Sequence, residues 1–278
     1  MAKLSTYIQP VYLTKERILE IRESLTFGKP FWHCVLDDFL HEDIIKKTDA
    51  IFSKRTFKIC DNRIDSYWSN STIFVEGDFF YELFEFFQSK ELLQYLQLLY
   101  GKVFERQRYL PQEKLQNEIL SLVAQNKNYK TSLNIEKEHR KSWGRIDNHL
   151  WIAQMYETGD FSAWHTDIAK DIIRDELVAK WGYELWHQHK IEKFEEVGAF
   201  IFYLYNSDDT NWDSLFWGNL ELWEYTWGSI ETSKTVTPRK NRLVLLSSSN
   251  ISYHRVSPLV SKNFRISFQD LLIDFKKG

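Results

Sequence analysis

Residues 156–167 read Tyr156-Glu-Thr-Gly-Asp-Phe-Ser-Ala-Trp-His165-Thr-Asp167, a turn signal and a short apolar stretch that ends on a His-x-Asp pair. On an extended backbone, residues i and i+2 point to the same face. His165 and Asp167 can therefore reach one centre while Trp164 and Thr166 face away. Working outward, β-like runs lie at 147–156, 198–206, 219–225, 241–247 and 263–273. Turn signals at Thr158-Gly159-Asp160, Ser207-Asp-Asp209 and Pro238 separate several of them. Many short strands at this spacing point to a β sandwich or closed barrel of the jelly-roll kind.

The first half of the chain has a different texture. Residues 31–38 read as a short strand, followed by a helix over about 41–53. Ser89 opens a second helix as its N-cap, with Leu92, Leu93, Leu96 and Leu99 at helical spacing and a stop at Gly101. Residues 102–142 are polar and rich in Lys, Glu and Gln, with a helical patch near 113–124, and read as an insertion at the surface or near a site mouth. A second helical insert is expected over 169–193. With no internal repeat and no Gly/Ser linker, the expectation is one catalytic domain over 1–278. Within it, 1–142 is a largely helical support region and 143–278 the β core.

Composition narrows the function. Of 278 residues, 27% are charged and 43% hydrophobic, which excludes a largely disordered chain. A net charge of −3 argues against a phosphate-backbone partner. Cys34 and Cys60 are too few for a disulfide framework and read as small buried hydrophobes. No apolar run has the length of a signal peptide core or a membrane span, so the expectation is a cytoplasmic protein without a membrane partner. The aromatic share is high at 16%, and nine of the 11 Trp lie between Trp143 and Trp227. Barrel packing accounts for most of these rings; Trp181, Trp186, Trp212 and Trp217 fall in inserts or loops, where they could wall a substrate pocket.

His254, after a further β run, offers a third ligand beside His165 and Asp167. Two His and one carboxylate on one face of a metal leave open positions that suit non-haem Fe(II) and O2 chemistry. In the strand that follows, Arg265 and Ser267 share a face, and a buried Arg265 could hold the far carboxylate of a dicarboxylate. Arg239, Arg242 and Lys262 are rival cations, with Lys262 the runner-up. His187 and His189 read as a solvated helix face, and His33, His41, His139 and His149 as structural.

The ordered set of His-x-Asp, a tyrosine-bearing strand, a Gly turn into Leu220-Glu-Leu-Trp223, then His254 and Arg265-x-Ser267 resembles the 2-oxoglutarate/Fe(II)-dependent oxygenases. Within them it looks most like the prolyl-4-hydroxylase-like branch, over 145–270 and extending to 31–52. The resemblance implies an α+β fold with a mainly β core, a double-stranded β-helix (jelly roll) with an N-terminal helical sheath and helical inserts. It implies His165, Asp167 and His254 as iron ligands and Arg265 as the partner of the 2-oxoglutarate distal carboxylate, with Ser267 and Tyr203 close by and Tyr156 on the strand before the first ligand. Fe(II), 2-oxoglutarate and O2 are the cofactors it implies. The reaction would be hydroxylation of an aliphatic C–H bond in a peptide or protein side chain, or in an amino-acid-like small molecule, with release of succinate and CO2. Asp167 argues for hydroxylation, because related halogenases carry a small residue in that place. Two departures stand out: Gly218-Asn219 replaces the usual Gly-Gly, and the insert after Asp167 is longer than in the plainest members. The alternatives are a non-catalytic β-sandwich binding module, and a cupin-like metal enzyme that does not use 2-oxoglutarate and would leave Arg265 outside the pocket.

Overall fold

The computed structural model describes residues 4–54, 57–61, 68–69, 71–100, 130–131, 150–165, 194–207, 218–226, 229–247 and 252–275. The expected inserts 102–142 and 169–193 lie outside the described residues, apart from a two-residue strand at Lys130–Thr131.

Two antiparallel sheets organise the chain. The strands of the first half are β1 (His33–Leu36), β2 (Lys58–Asp61), β3 (Trp68–Ser69), β4 (Ser71–Glu76) and β5 (Lys130–Thr131). Those of the second half are β6 (Leu150–Tyr156), β7 (Phe161–His165), β8 (Phe194–Asn206), β9 (Leu220–Thr226), β10 (Ser229–Val236), β11 (Arg242–Ser247), β12 (His254–Val256) and β13 (Arg265–Phe275). The larger sheet runs β1-β11-β8-β13-β6-β4-β2, with β5 beside β13; the smaller runs β10-β9-β12-β7-β3. The helices are α1 (Leu4–Tyr7), α2 (Lys15–Phe27), α3 (Glu42–Phe52), α4 (Asp78–Phe87) and α5 (Lys90–Tyr100), with a 3-10 turn at Pro10–Leu13. No described helix is long and apolar enough to cross a membrane.

Helix starts follow local chemistry. Ser89 Oγ accepts a hydrogen bond from the Leu92 N–H at 3.2 Å, the N-cap that the sequence suggests, and Thr14 Oγ1 does the same for Arg17 at 3.3 Å. Helix α3 instead starts at His41 without a side-chain cap, and Glu42 and Asp43 place negative charge on its first turn, where the helix dipole favours it.

The division expected at residue 143 is softer than the sequence suggests. Strands β1, β2 and β4 extend the larger sheet at both of its ends, and β3 edges the smaller one. Of these, β1 is the strand read at 31–38, while β2, β3 and β4 are too short for their alternation to stand out from surrounding loops. Strand β8 likewise begins at Phe194 rather than at 198, because its backbone goes on pairing with β13 through Glu195 and Glu196, where the apolar run has already broken. The ladder hydrogen bonds do not require apolar side chains.

Side-chain alternation then makes two cores. Phe200, Phe202 and Leu204 of β8, Leu243 and Leu245 of β11, and Ile266 and Phe268 of β13 face helices α2–α5 in one cluster. The Phe87 ring of α4 lies 4.7 Å from both Phe268 and Phe202, stacked on the former at 12°. Burying one such ring is worth about 1.5–3 kcal/mol. The opposite face of the same strands, with Ala199, Ile201, Tyr203, Val244 and Leu246, packs on Leu220, Leu222 and Val236 of the smaller sheet. The two sheets therefore stack face to face, and helices cover the outer face of the larger one.

Polar contacts pin the N-terminal segment to the turn before β11. Arg242 donates to both carboxylate oxygens of Asp37, at 2.6 and 2.9 Å, and to the Thr237 carbonyl at 2.6 Å. Asn241, at φ 62°, uses its amide to accept from the Leu40 N–H and donate to the Leu40 carbonyl. At the far end of β8 the Tyr100 hydroxyl reaches the carbonyl oxygens of Ala199 and Leu246 at 2.6 and 2.9 Å. Gly198 makes this approach possible: a Cβ there would sit 2.6 Å from Tyr100 Cε1 and 2.7 Å from the Leu246 carbonyl oxygen.

Two outcomes follow. Gly198→Ala should lower unfolding stability by about 1–3 kcal/mol, as overpacking does, and urea melts against the parent read this directly. The Arg242 hydrogen bond holds the Asp37 carboxyl below the ordinary carboxylate range. A depressed folded value means that this stabilisation is fully present above the unfolded value of about 3.9 and is lost as pH falls through the folded one. The stability gap between the parent and Asp37→Asn should therefore be full near neutral pH and close in acid; a gap independent of pH would contradict it.

Candidate active site

Strand β13 sits between β6 and β8, and its first residues carry the polar chemistry of the inter-sheet space. Phe264, Ile266 and Phe268 point to the helix-side core, so alternation turns Arg265 and Ser267 the other way. Arg265 lies directly opposite Tyr156 on β6 and Asn206 on β8. Ser267 lies opposite Gln154 and Tyr203. Directly opposed residues share a face, so all six of these side chains belong to one patch.

Arg265 is 1% exposed. Its guanidinium carbon stands 4.2 Å from the Tyr156 ring centroid and 5.0 Å from that of Tyr203. Ring faces attract cations, by about 0.5–2 kcal/mol each. They do not replace hydrogen bonds: Arg265 Nε, Ser267 Oγ and Tyr203 Oη are all buried with no hydrogen-bond partner among the described residues. Guanidinium cannot shed its proton to escape burial, and an isolated buried ion costs several kcal/mol. Burial pushes the Tyr203 phenol up, while Arg265 pulls in the opposite direction without closing a well-formed hydrogen bond on the hydroxyl. The patch thus gathers one cation and two hydroxyls whose open valences match the oxygens of a carboxylate.

The rival cations are placed differently. Lys262 and Arg239 are exposed, and Arg242 is committed to Asp37 and Thr237. Among the cations weighed from the sequence, Arg265 is the one buried on the inner face.

On the smaller sheet, His254 of β12 is 7% exposed and pairs directly with His165, the last residue of β7. Its other cross-strand partner is Leu222, which faces the inter-sheet core, so the His254 ring faces that space as well. Directly opposed residues have Cα atoms about 4.5–5.5 Å apart, so the two histidine positions are neighbours across the ladder. His254 Nδ1 is 3.0 Å from the Ser252 carbonyl. A carbonyl only accepts, so Nδ1 donates and Nε2 is the nitrogen that would ligate, the orientation that metal-binding histidines require. The His165 side chain and Asp167 lie outside the described residues, and among the described ones no three His, Cys, Asp or Glu come together. The donor chemistry that is described, a backbone-anchored imidazole paired with a second histidine, fits a divalent first-row metal.

The Gly218-Asn219 departure has a structural reading. Gly218 takes the left-handed conformation, φ 67°. Asn219 does not need it, and its backbone N–H donates to Ser257 Oγ at 3.0 Å while its carbonyl accepts from the Ser257 N–H at 2.9 Å. His33 and His41 have the structural roles expected, bonded to the Phe31 and Ser5 carbonyls. Gln154 and Asn206 were not singled out from the sequence. Their signal is positional: Gln154 stands two residues before Tyr156, and Asn206 closes the same strand as Tyr203. His139, His149, His187, His189 and the Trp residues at 181, 186, 212 and 217 lie outside the described residues.

Known proteins were compared with the chain at this point. Residues 150–270 match the family model described as the 2OG-Fe(II) oxygenase superfamily. No curated protein matches the chain in sequence. Among solved structures, a prolyl-4-hydroxylase from Pseudomonas putida is similar at 14% identity and TM-score 0.44, covering 94% of this chain and 99% of that one. A Trichoplax adhaerens prolyl hydroxylase, solved with a hypoxia inducible factor peptide fragment, is similar at 14% identity and TM-score 0.45, covering 93% and 91%. The viral collagen prolyl hydroxylase of Paramecium Bursaria Chlorella virus-1 is similar at 10% identity and TM-score 0.41, covering 89% and 99%. The matched stretch spans the strands that carry His165, His254 and Arg265, so this part of the chain is similar to the 2OG-Fe(II) oxygenase superfamily, a family that uses Fe(II), 2-oxoglutarate and O2.

Proposed function

We propose that the chain is an Fe(II)- and 2-oxoglutarate-dependent dioxygenase that hydroxylates an aliphatic C–H bond of a peptide or protein side chain, or of an amino-acid-like substrate, releasing succinate and CO2. In this reading residues 1–278 form one catalytic domain, and the two stacked sheets are the walls of a double-stranded β-helix. His165, Asp167 and His254 hold Fe(II), and Arg265 binds the distal carboxylate of 2-oxoglutarate, with Ser267 and Tyr203 donating to it and Tyr156 backing the guanidinium. The substrate class rests on the likeness of the His-x-Asp, tyrosine-strand and Arg-x-Ser set to the prolyl-4-hydroxylase-like branch.

The observation that carries the reading is the buried Arg265 with its Nε unpaired, beside two equally unpaired hydroxyls. A carboxylate arriving there would make charge-assisted bonds that no side chain has to rearrange to make. The metal and its cosubstrate, when bound, supply O2 activation and the oxidative decarboxylation. The chain supplies orientation and dryness: Ser252 fixes the His254 imidazole, and Leu222 closes the apolar layer beside it. Tyr203, kept protonated by burial, is a donor at neutral pH.

The rival readings fare less well. A binding module without an anionic ligand would carry the desolvation cost of Arg265 for nothing. A cupin-like enzyme without 2-oxoglutarate would put Arg265 outside the pocket, whereas it lies on the inner face.

Anaerobic protein given Fe(II) and 2-oxoglutarate, then O2, should form succinate, slowly even without substrate. His254→Ala should abolish succinate yet keep the thermal shift that 2-oxoglutarate gives the metal-free protein. Arg265→Met should do the reverse to the ligand: the shift disappears, while the unliganded protein melts at the same temperature or higher, because an unpaired buried charge has been removed. A parent protein with neither succinate formation nor 2-oxoglutarate affinity would sink the proposal.

A further inference from the structure

The strand that ends on His165 is not regular. Between β12 and β7 the pairing sets His254 opposite His165 and Val256 opposite Ser162, a step of two residues on β12 against a step of three on β7. On its other side β12 pairs with β9 in step over the same stretch, His254 with Leu222, Arg255 with Glu221 and Val256 with Leu220. The extra residue therefore belongs to β7 and lies between Ser162 and His165. Such a bulge disrupts the ladder locally and re-aims the residues beyond it.

Ser162, on the near side of the break, is fixed from several directions. It stands opposite Trp68 of β3, as Phe161 stands opposite Ser69. The turn before it is locked to the loop after β12. Gly159 N–H donates to the Leu259 carbonyl at 2.7 Å, Leu259 N–H to the Asp160 carbonyl at 3.0 Å, and Thr158 Oγ1 to the Ser261 carbonyl. Within the turn, Asp160 Oδ2 accepts from the Glu157 N–H at 2.8 Å. Across the ladder, the Val256 N–H donates to Ser162 Oγ at 2.8 Å, and both residues are buried. A side-chain acceptor thus closes the ladder at the residue where the backbone register breaks.

The phase of the break decides which residue meets His254. Val256 and His254, two apart on β12, share the face of Leu220 and Leu222, which belong to the inter-sheet core. A regular ladder counted from Ser162 opposite Val256 would bring Trp164 opposite His254 and place His165 on the outer face. The inserted residue brings His165 to that position instead. We propose that Ser162 is a positioning residue of the metal site: its hydroxyl, bonded to the Val256 N–H, holds the bulge that sets His165 rather than Trp164 opposite His254. This rests on the function proposed above, in which both histidines are ligands, and adds a residue that acts on them through the backbone of β7.

The test is Mn(II) binding to the full chain, measured from the electron paramagnetic resonance of the free ion. Ser162→Ala should raise the Mn(II) Kd about tenfold, the lower end of what lost orientation of ligands costs. Ser162→Thr, which keeps the hydroxyl, should restore it. Ser162→Ala should also keep the thermal shift that 2-oxoglutarate gives the metal-free protein, because Arg265 lies on the other sheet. Removing Ala163 supplies the second arm. The shortened strand brings its histidine opposite His254 by regular pairing, so Ser162→Ala in that background should leave Mn(II) affinity unchanged. Should the shortened chain not fold, the Co(II) absorption spectrum decides: Ser162→Ala must alter the bands of the bound ion and Ser162→Thr return them, and unaltered bands would count against the inference. A parent-like Mn(II) Kd for Ser162→Ala, loss of the 2-oxoglutarate shift along with the metal, or the same tenfold cost with and without Ala163 would overturn the inference while leaving the proposed function standing. A parent that binds no Mn(II) would overturn both.

Discussion

A guanidinium buried between two tyrosine rings, its Nε unpaired among the described residues, is the constraint on which the rest of the molecule depends. Arg265 cannot neutralise itself and cannot reach water. The fold must therefore hold it by force of packing. Strand β13 does this by sitting between β6 and β8 and sending Phe264, Ile266 and Phe268 into a core that four helices cover. Tyr156 and Tyr203 arrive from the two flanking strands in register. The apolar face of β13 anchors the strand so that, in the proposed function, its polar face can receive a carboxylate. Folding stability and ligand affinity are in this sense opposed at one residue.

The second sheet completes the arrangement. His254 and His165 are cross-strand partners, and the pairing of His254 with Leu222 turns its ring inward. A metal held there and a carboxylate held by Arg265 would face each other across the inter-sheet space, one from each sheet. Two sheets stacked on a shared apolar layer are rigid along their stacking direction. The distance between the two sites is thus a property of the fold rather than of loops. The N-terminal segment contributes to the same rigidity through the Asp37–Arg242 and Asn241–Leu40 contacts at the turn before β11.

What the sequence makes legible follows physical strength of signal. The strands with continuous apolar runs, such as 241–247, were readable, as were the Ser89 cap and the i, i+2 spacing of Arg265 and Ser267. Strands such as Lys58–Asp61 and Ser229–Val236 were not, because their few apolar side chains give little pattern and the ladder to a neighbouring strand sets their state. Helix α4 carries Phe80, Leu83, Phe84 and Phe87 at helical spacing, and these phenylalanines, rather than the Trp-rich stretch, form the helix–sheet core. The bulge in β8 at Leu204, where its pairing with β13 skips a residue, has no signature in composition at all. It becomes visible only when two registers are compared, and it explains why Tyr203 and Asn206 can share a face despite an odd spacing. Arg265 itself was legible as a cation on a strand, but its lack of a partner was not: unsatisfied valence is a property of three dimensions.

The proposal that Arg265 is a carboxylate receptor is tested most directly by the side-chain Nε–H resonance of arginine in 15N-labelled protein, assigned by its absence in Arg265→Met. The account requires this one resonance to be protected from exchange and to shift on addition of 2-oxoglutarate, with the other arginines unmoved. A protein that turned over 2-oxoglutarate while the Arg265 resonance stayed where it was would contradict the account at its centre.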